Sequence, residues 1–312
     1  MRLLFFDDYK LGVLRDSAVI DVSRLVSDIP RAHPQDIIAS VIERWSEFAP
    51  RFAEASDHAS GVELASVRIR PPLPRPVNID CMAVNYLEDG TLSDRPPING
   101  FQKSPSSIIG YGDVMELPDV PATIFEGEAE LAVVIGRRAR NVPASEAMDY
   151  VFGYTNLIDG SARGLPPEKN AFYQMKSRDT FCAIGPYLVT ADEVNDPQNL
   201  AVRLWNNGQL MQDFNTDDMA YVIPKCIEFV SSLHTLEPGD ILATGTNHRG
   251  LNPFMDGDAI ELEVGDLGRL RITVSDELKR TWARQTRLEH STSGLPGRAT
   301  PQIGGQYADV GA

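Results

Sequence analysis

The chain has 312 residues, 42% hydrophobic and 23% charged, which excludes disorder throughout and leaves room for one large core plus a smaller appended unit. Its 29 lysines and arginines against 44 aspartates and glutamates give a formal net charge of −15, which repels phosphate backbones and anionic lipid and argues against nucleic acid or membrane partners. Three cysteines without CxxC spacing and five histidines without an HxxxH pair indicate neither a disulfide framework nor a thiolate zinc site, so a metal here would have to be held by oxygens.

At the N-terminus, Leu3-Leu4-Phe5-Phe6 runs into Asp7 and Asp8, far short of a signal-peptide core or the roughly 20 apolar residues of a membrane span, and a cytoplasmic protein is expected. The segments MRLLFF, KLGVLR and AVIDV read as short strands at meander spacing. From Gln35 to about Phe52, apolar positions Ile37, Ile38, Val41, Ile42, Trp45 and Phe48 recur at offsets of three and four, which predicts one amphipathic helix. Residues 1–70 are therefore expected to form a small α/β domain. Pro71, Pro72, Pro74 and Pro76 favour an extended connector without ladder hydrogen bonds, and the boundary is placed there.

Residues 71–276 alternate short apolar strands (ELAVVIG, YVFGYTNLI, LAVRLW, DILATGT, AIELEV, RLRITV) with Gly, Asn, Asp and Pro, which predicts a β-rich α+β domain. Asn207-Gly208 marks a two-residue hairpin turn, and the stripe from Tyr221 to Leu233 marks a helix over roughly Met219 to Leu233. Residues 277–312 form a C-terminal extension whose last stretch is rich in Gly, Ser, Thr and Pro. It is expected to be partly mobile or docked on a neighbouring subunit.

The most informative stretch is Phe125-Glu126-Gly127-Glu128-Ala129-Glu130-Leu131-Ala132-Val133-Val134-Ile135. Alternate residues of a strand share a face, so the three glutamates project together as the strand enters a core. Like charges crowded there need protonation, a basic partner or a bound cation, unless the glutamates simply line a solvated edge. Asp159 ends the apolar run Val151–Ile158, where ligand groups commonly converge. Glu128, Glu130 and Asp159 together would offer three oxygen ligands, which suits Mg²⁺ or Mn²⁺, with Ca²⁺ a further fit.

In residue types and spacing, the segment from Glu128 to Arg163 resembles the signature of the fumarylacetoacetate hydrolase family. The likeness extends upstream through FQKSPSSIIG and downstream through MKSRDTF, NNGQLMQ and LEPGDILATGT, over roughly residues 75–275. The resemblance implies a mixed β-roll catalytic domain with a small α/β N-terminal domain and a homodimer. It also implies an enzyme whose metal ligands are Glu128, Glu130 and Asp159. It further implies a catalytic ammonium at Lys176 and substrate contacts from Lys103, Ser106, Arg163, Gln212 and Thr246. Glu126 falls outside the ligand set and is expected to be a supporting or surface residue.

One departure stands out. Hydrolytic members carry Asn-Tyr-x-x-His, whose histidine works with a nearby glutamate to activate water, whereas here the count gives Asn85-Tyr86-Leu87-Glu88-Asp89. Asp89 takes the histidine's place, and Glu88, Asp89 and His248 are the stand-ins for the base. The expected function is metal-dependent cleavage of a C–C bond in a small 2-oxo acid or 1,3-dicarbonyl compound through a stabilised enolate. Isomerisation, tautomerisation or decarboxylation of a 2-oxo diacid is the alternative, and oxo-acid binding without turnover is a third reading.

Overall fold

The computed structural model describes residues 1–166 and 172–308. The first 22 residues form the expected antiparallel meander, Arg2–Phe6, Lys10–Arg15 and Ala18–Asp21. Two helices, Pro34–Glu43 and Trp45–His58, stand where the periodicity predicts one. The chain turns at Arg44, which lets Trp45 leave the stripe and pack edge-on against Phe152, 5.1 Å between ring centroids, and against Phe52. Ile37, Ile38, Val41, Ile42, Phe48 and Phe52 then share one core with the meander.

That meander does not stand apart. Leu3 pairs with Leu188, so the first strand joins the Cys182–Thr190 strand. From there a mixed sheet of 12 strands continues through Val151–Arg163, Ile124–Ile135, Ile241–Ala243 and Ile79–Met82 to Gly100–Gln102. A second sheet of five strands packs against it, built on the antiparallel run Gln209–Asn215, Ala201–Asn206, Ala259–Val264 and Arg269–Ser275. With helices confined to the flanks, this is the α+β, β-rich fold that the strand spacing predicts and the mixed β-roll that the resemblance implies.

Local chemistry explains the joints. Asn207 and Gly208 both take positive φ, 51° and 79°, as a type I′ hairpin requires. The helix expected from Met219 begins at Ile223, with Pro224 in its first turn, where a missing N–H costs nothing. Cys81, Cys182 and Cys226 are free and buried. Among the described residues no helix is long and apolar enough to cross a membrane.

The C-terminal extension folds back over its own chain. Thr281–Trp282 pairs with Gln302–Gly304, His290 and Thr300 are buried, and the Tyr307 hydroxyl donates to Asp119 at 2.6 Å. Residues 309–312 lie outside the described residues.

The two long central strands, Ile124–Ile135 and Val151–Arg163, pair antiparallel with Gly127 opposite Gly160. A β-carbon on Gly127 would lie 2.3 Å from the Phe254 ring, and one on Gly160 would lie 2.9 Å from the Phe181 ring. Both rings press on the backbone between the acidic side chains. Gly127→Ala is therefore expected to destabilise the protein by about 1–3 kcal/mol through overpacking, read as a lowered urea midpoint at unchanged slope.

Candidate metal centre

The strand register assembles the acidic residues. Glu128 lies directly opposite Asp159, Glu126 opposite Ser161 and Glu130 opposite Leu157, so the three glutamates and Asp159 share one face of the pair. Every residue from Ile124 to Ile135 is buried, which rules out the solvated-edge reading of the triplet. Carboxylate oxygens of Glu128, Glu130 and Asp159 come within 4.8 Å of one another.

Four cations converge on this cluster from distant parts of the chain. Lys176, at the end of the short helix Phe172–Lys176, donates to Glu128 at 2.7 Å and to Asp159 at 2.5 Å. Lys103, fully buried, donates to the other oxygen of Asp159 and to the Lys176 carbonyl. Arg163 donates to Glu126 at 3.0 Å and also to Glu128. Arg287 grips Glu126 from the C-terminal helix Arg287–Thr292, with its Nε at 2.9 Å. Glu126 is thus neither surface nor spectator: it is 1% exposed and holds two guanidiniums, one of which reaches Glu128.

The four carboxyls are not equivalent. Burial pushes Glu128 up, but Lys176, Arg163 and the nearby His248 outweigh it and hold Glu128 well below its ordinary range. Glu126 is likewise raised by burial and drawn below its ordinary value by Arg287 and Arg163. Glu130 goes the other way. Burial, with Asp159 and Glu128 close by, drives its carboxyl well above the usual range. Among the described residues its Oε2 accepts only the Gly245 N–H, at 2.7 Å, and its buried Oε1 has no donor.

These features fit a hard divalent cation. The donor set is all oxygen, three carboxylates lie close enough together to share one ion, and one buried oxygen has no partner among the described residues.

A second constellation lies beside the first. The Asn85 side chain bonds the Tyr221 N–H at 3.0 Å and the Thr244 carbonyl at 2.9 Å, which pins the start of the Asn85–Asp89 turn between two neighbouring loops. Glu88 and Asp89 then take left-handed backbone, φ 57° and 55°, a conformation that costs non-glycine residues of the order of 1 kcal/mol each. The turn sends the two acids to different places. Glu88, 9% exposed, meets the His248 ring Nδ1 at 2.7 Å and accepts the His248 backbone N–H at 3.0 Å. Asp89 points outward to Arg249 at 2.8 Å, with its side chain half exposed. Of the three stand-ins for the base, the structure joins Glu88 with His248 and leaves Asp89 outside the pair.

The remaining candidates divide similarly. Gln212 is spent on structure: it accepts the Ala129 N–H at 3.1 Å and donates to the Thr246 hydroxyl and the Asn247 carbonyl, both at 2.9 Å. It therefore ties the glutamate strand to the loop bearing Thr246 and His248. Ser106 is exposed and donates to Asp179 at 2.7 Å, apart from the carboxylates. Sequence reasoning missed Arg287. Its signal was Thr286 followed three residues later by Glu289, a capping box that both side chains complete.

A cleft of about 990 Å³ opens beside the cluster, its lining including Arg163, Met175, His248, Arg287 and residues 297–302.

Comparison with known proteins agrees with this geometry. The profile described as "Fumarylacetoacetate (FAA) hydrolase C-terminal" matches residues 78–275. Maleylpyruvate hydrolase from Aquipseudomonas alcaligenes is 33% identical over 290 residues, covering 88% of this chain and 99% of that protein. An oxaloacetate tautomerase from Bacillus subtilis is 37% identical over 220 residues, covering 66% of this chain and 73% of that one. Among solved structures, maleylpyruvate hydrolase from Sphingobium sp. SYK-6, in complex with manganese(II) ion and pyruvate, is 35% identical with a TM-score of 0.80. It covers 88% of this chain and 99% of that one.

Proposed function

This chain belongs to the fumarylacetoacetate hydrolase family, and from that premise we propose that it is a divalent-metal-dependent hydrolase cleaving a C–C bond in a small 2-oxo acid or 1,3-dicarbonyl compound of the acylpyruvate kind. Glu128, Glu130 and Asp159 would hold the cation, Mg²⁺ or Mn²⁺ by their donor chemistry. When bound, the cation supplies Lewis-acid stabilisation of negative charge on substrate oxygens. The charge balance supports an anionic substrate. Among the described residues, four carboxyl groups (Glu126, Glu128, Glu130 and Asp159) meet four cationic side chains (Lys103, Lys176, Arg163 and Arg287), so a divalent ion would add positive charge that a substrate anion can offset.

The observation that carries hydrolysis over the other enolate reactions is the Glu88–His248 pair. As a carboxylate, Glu88 can only accept, so the proton of the neutral ring lies on Nδ1 and the Nε2 lone pair is free. That ring would take a proton from water as the water oxygen bonds to the acyl carbonyl carbon. The C–C bond then breaks with its electron pair leaving on the enolate carbon, which takes a proton from solvent to give the 2-oxo acid while the ring releases its own to solvent. Family hydrolases place the histidine on the Asn-Tyr loop with a glutamate nearby. Here the Asn85-Tyr86 loop supplies the glutamate and the Gly245-Thr246 loop supplies the histidine, so the same two residue types meet from exchanged loops. Lys176 is assigned to a substrate carboxylate or enolate oxygen, with Lys103 behind it orienting Asp159.

Tautomerisation of an oxo diacid is the second reading, favoured by the likeness to the oxaloacetate tautomerases of Bacillus subtilis and Xenopus laevis. It needs the same carboxylates and Lys176 but no activated water. The test is NMR of acylpyruvates and oxaloacetate with metal-stripped and Mg²⁺- or Mn²⁺-loaded protein, following acid products and deuterium exchange together. Hydrolysis predicts metal-dependent appearance of two acids. Exchange or keto–enol conversion without cleavage of any acylpyruvate would move the assignment to the tautomerase, and silence in both channels would leave a binding protein.

A further inference from the structure

The cleft beside the carboxylates is unusual for so acidic a chain. Although Asp and Glu outnumber Lys and Arg by 44 to 29, the described residues lining it include three arginines and His248 and no carboxylate. Arg163 and Arg287 on its walls are ion-paired to Glu126. Arg298 is different: among the described residues it pairs with no acidic group, and it stands on a segment fixed in place by buried Thr300 and by the pairing of Gln302 with Trp282. The lining also includes the apolar side chains of Val84, Ile124 and Met175.

We propose that Arg298 is the counter-ion for a second, remote carboxylate of the substrate, so that the C-terminal segment selects 2-oxo diacids over analogues with neutral tails. This rests on the reading that the 2-oxo acid end is held at Glu128, Glu130 and Asp159. A hydrocarbon linker would lie against these apolar side chains while the far carboxylate meets a guanidinium that no acid among the described residues neutralises. The surrounding net negative charge makes that cation the favourable landing point for an anion in the cleft.

The test is calorimetric binding of 2-oxoadipate and 2-oxohexanoate, equal in length and differing in the far carboxylate, to Mn²⁺-loaded wild type, Arg298→Gln and Arg298→Lys. Wild type is expected to prefer the diacid. Arg298→Gln should weaken diacid binding by about 10- to 100-fold, the range of a charge-assisted contact, and leave the neutral-tailed acid within about 2-fold. Arg298→Lys should restore part of the preference. Discrimination that survives in Arg298→Gln, or is absent in wild type, overturns the subsite alone. Failure of both acids to bind metal-loaded wild type removes the reading of the inner end, and the subsite with it.

Discussion

Asp159→Asn and Glu130→Gln are each expected to remove tight Mn²⁺ binding and to lower metal-dependent turnover by about 10³-fold or more, while shifting the stability of the metal-free protein in opposite directions. Asp159 is the shared acceptor of two buried ammoniums, Lys103 and Lys176. Neutralising it leaves Lys103 without a carboxylate and Lys176 with Glu128 alone, and breaking a buried pair in this way costs roughly 3–5 kcal/mol. Asn should retain part of this through its carbonyl oxygen, and Ala should not. Glu130 sits in the reverse situation: among the described residues no cation is paired to it and one oxygen has no donor, while two like charges crowd it. An amide there removes repulsion, so metal-free Glu130→Gln should melt at or above wild type. Manganese titration followed by electron paramagnetic resonance reads the binding, and thermal melts after chelation read the stability. A Glu130→Gln protein that binds Mn²⁺ normally, or melts as far below wild type as Asp159→Asn does, would show that the cluster is a structural ion-pair network and not a cation site.

The contrast between those two acids could not be drawn from the sequence. Period-two alternation put Glu126, Glu128 and Glu130 on one face, and the apolar run after them showed the strand entering a core, because both follow from local backbone geometry. Asp159 at the end of its strand was also visible, although its place opposite Glu128 depends on a register set by the whole sheet. The compensating charges come from much farther away. Lys103 precedes Asp159 by 56 residues in a loop, and Arg287 follows Glu126 by 161. Periodicity carries no information over such separations, which is why Glu126 read as peripheral. The resemblance supplied Lys103, Lys176 and Arg163, and it could not supply Arg287 because the matched region ends at residue 275. One continuous helix over 35–52 was expected because a stripe of apolar residues does not show that Trp45 has a better partner in Phe152 than in its own helical neighbours.

The same limit governs the water-activating residue, where the largest effect on hydrolysis alone is expected. Counting along Asn85-Tyr86-Leu87-Glu88-Asp89 places Asp89 at the histidine position, but two successive left-handed residues redirect their side chains, and spacing cannot say which of them turns inward. The structure gives Glu88 to His248 and Asp89 to Arg249. His248→Gln should therefore lower hydrolytic kcat by about 10²- to 10⁴-fold. Glu88→Gln should act almost as strongly, because an amide can donate to Nδ1 and move the ring proton to Nε2, where the base is needed. Since both act through one proton transfer, the double variant should be little worse than either single one. Asp89→Asn should stay within about 3-fold of wild type. Mn²⁺ affinity and metal-dependent deuterium exchange into pyruvate should persist in all four, because enolisation draws on the carboxylates and Lys176 and not on activated water. A large loss in Asp89→Asn with little in His248→Gln would return the base to the exposed acid. Loss of exchange along with hydrolysis in the dyad variants would mean that the pair serves the enolate itself, and the balance would tip toward tautomerisation.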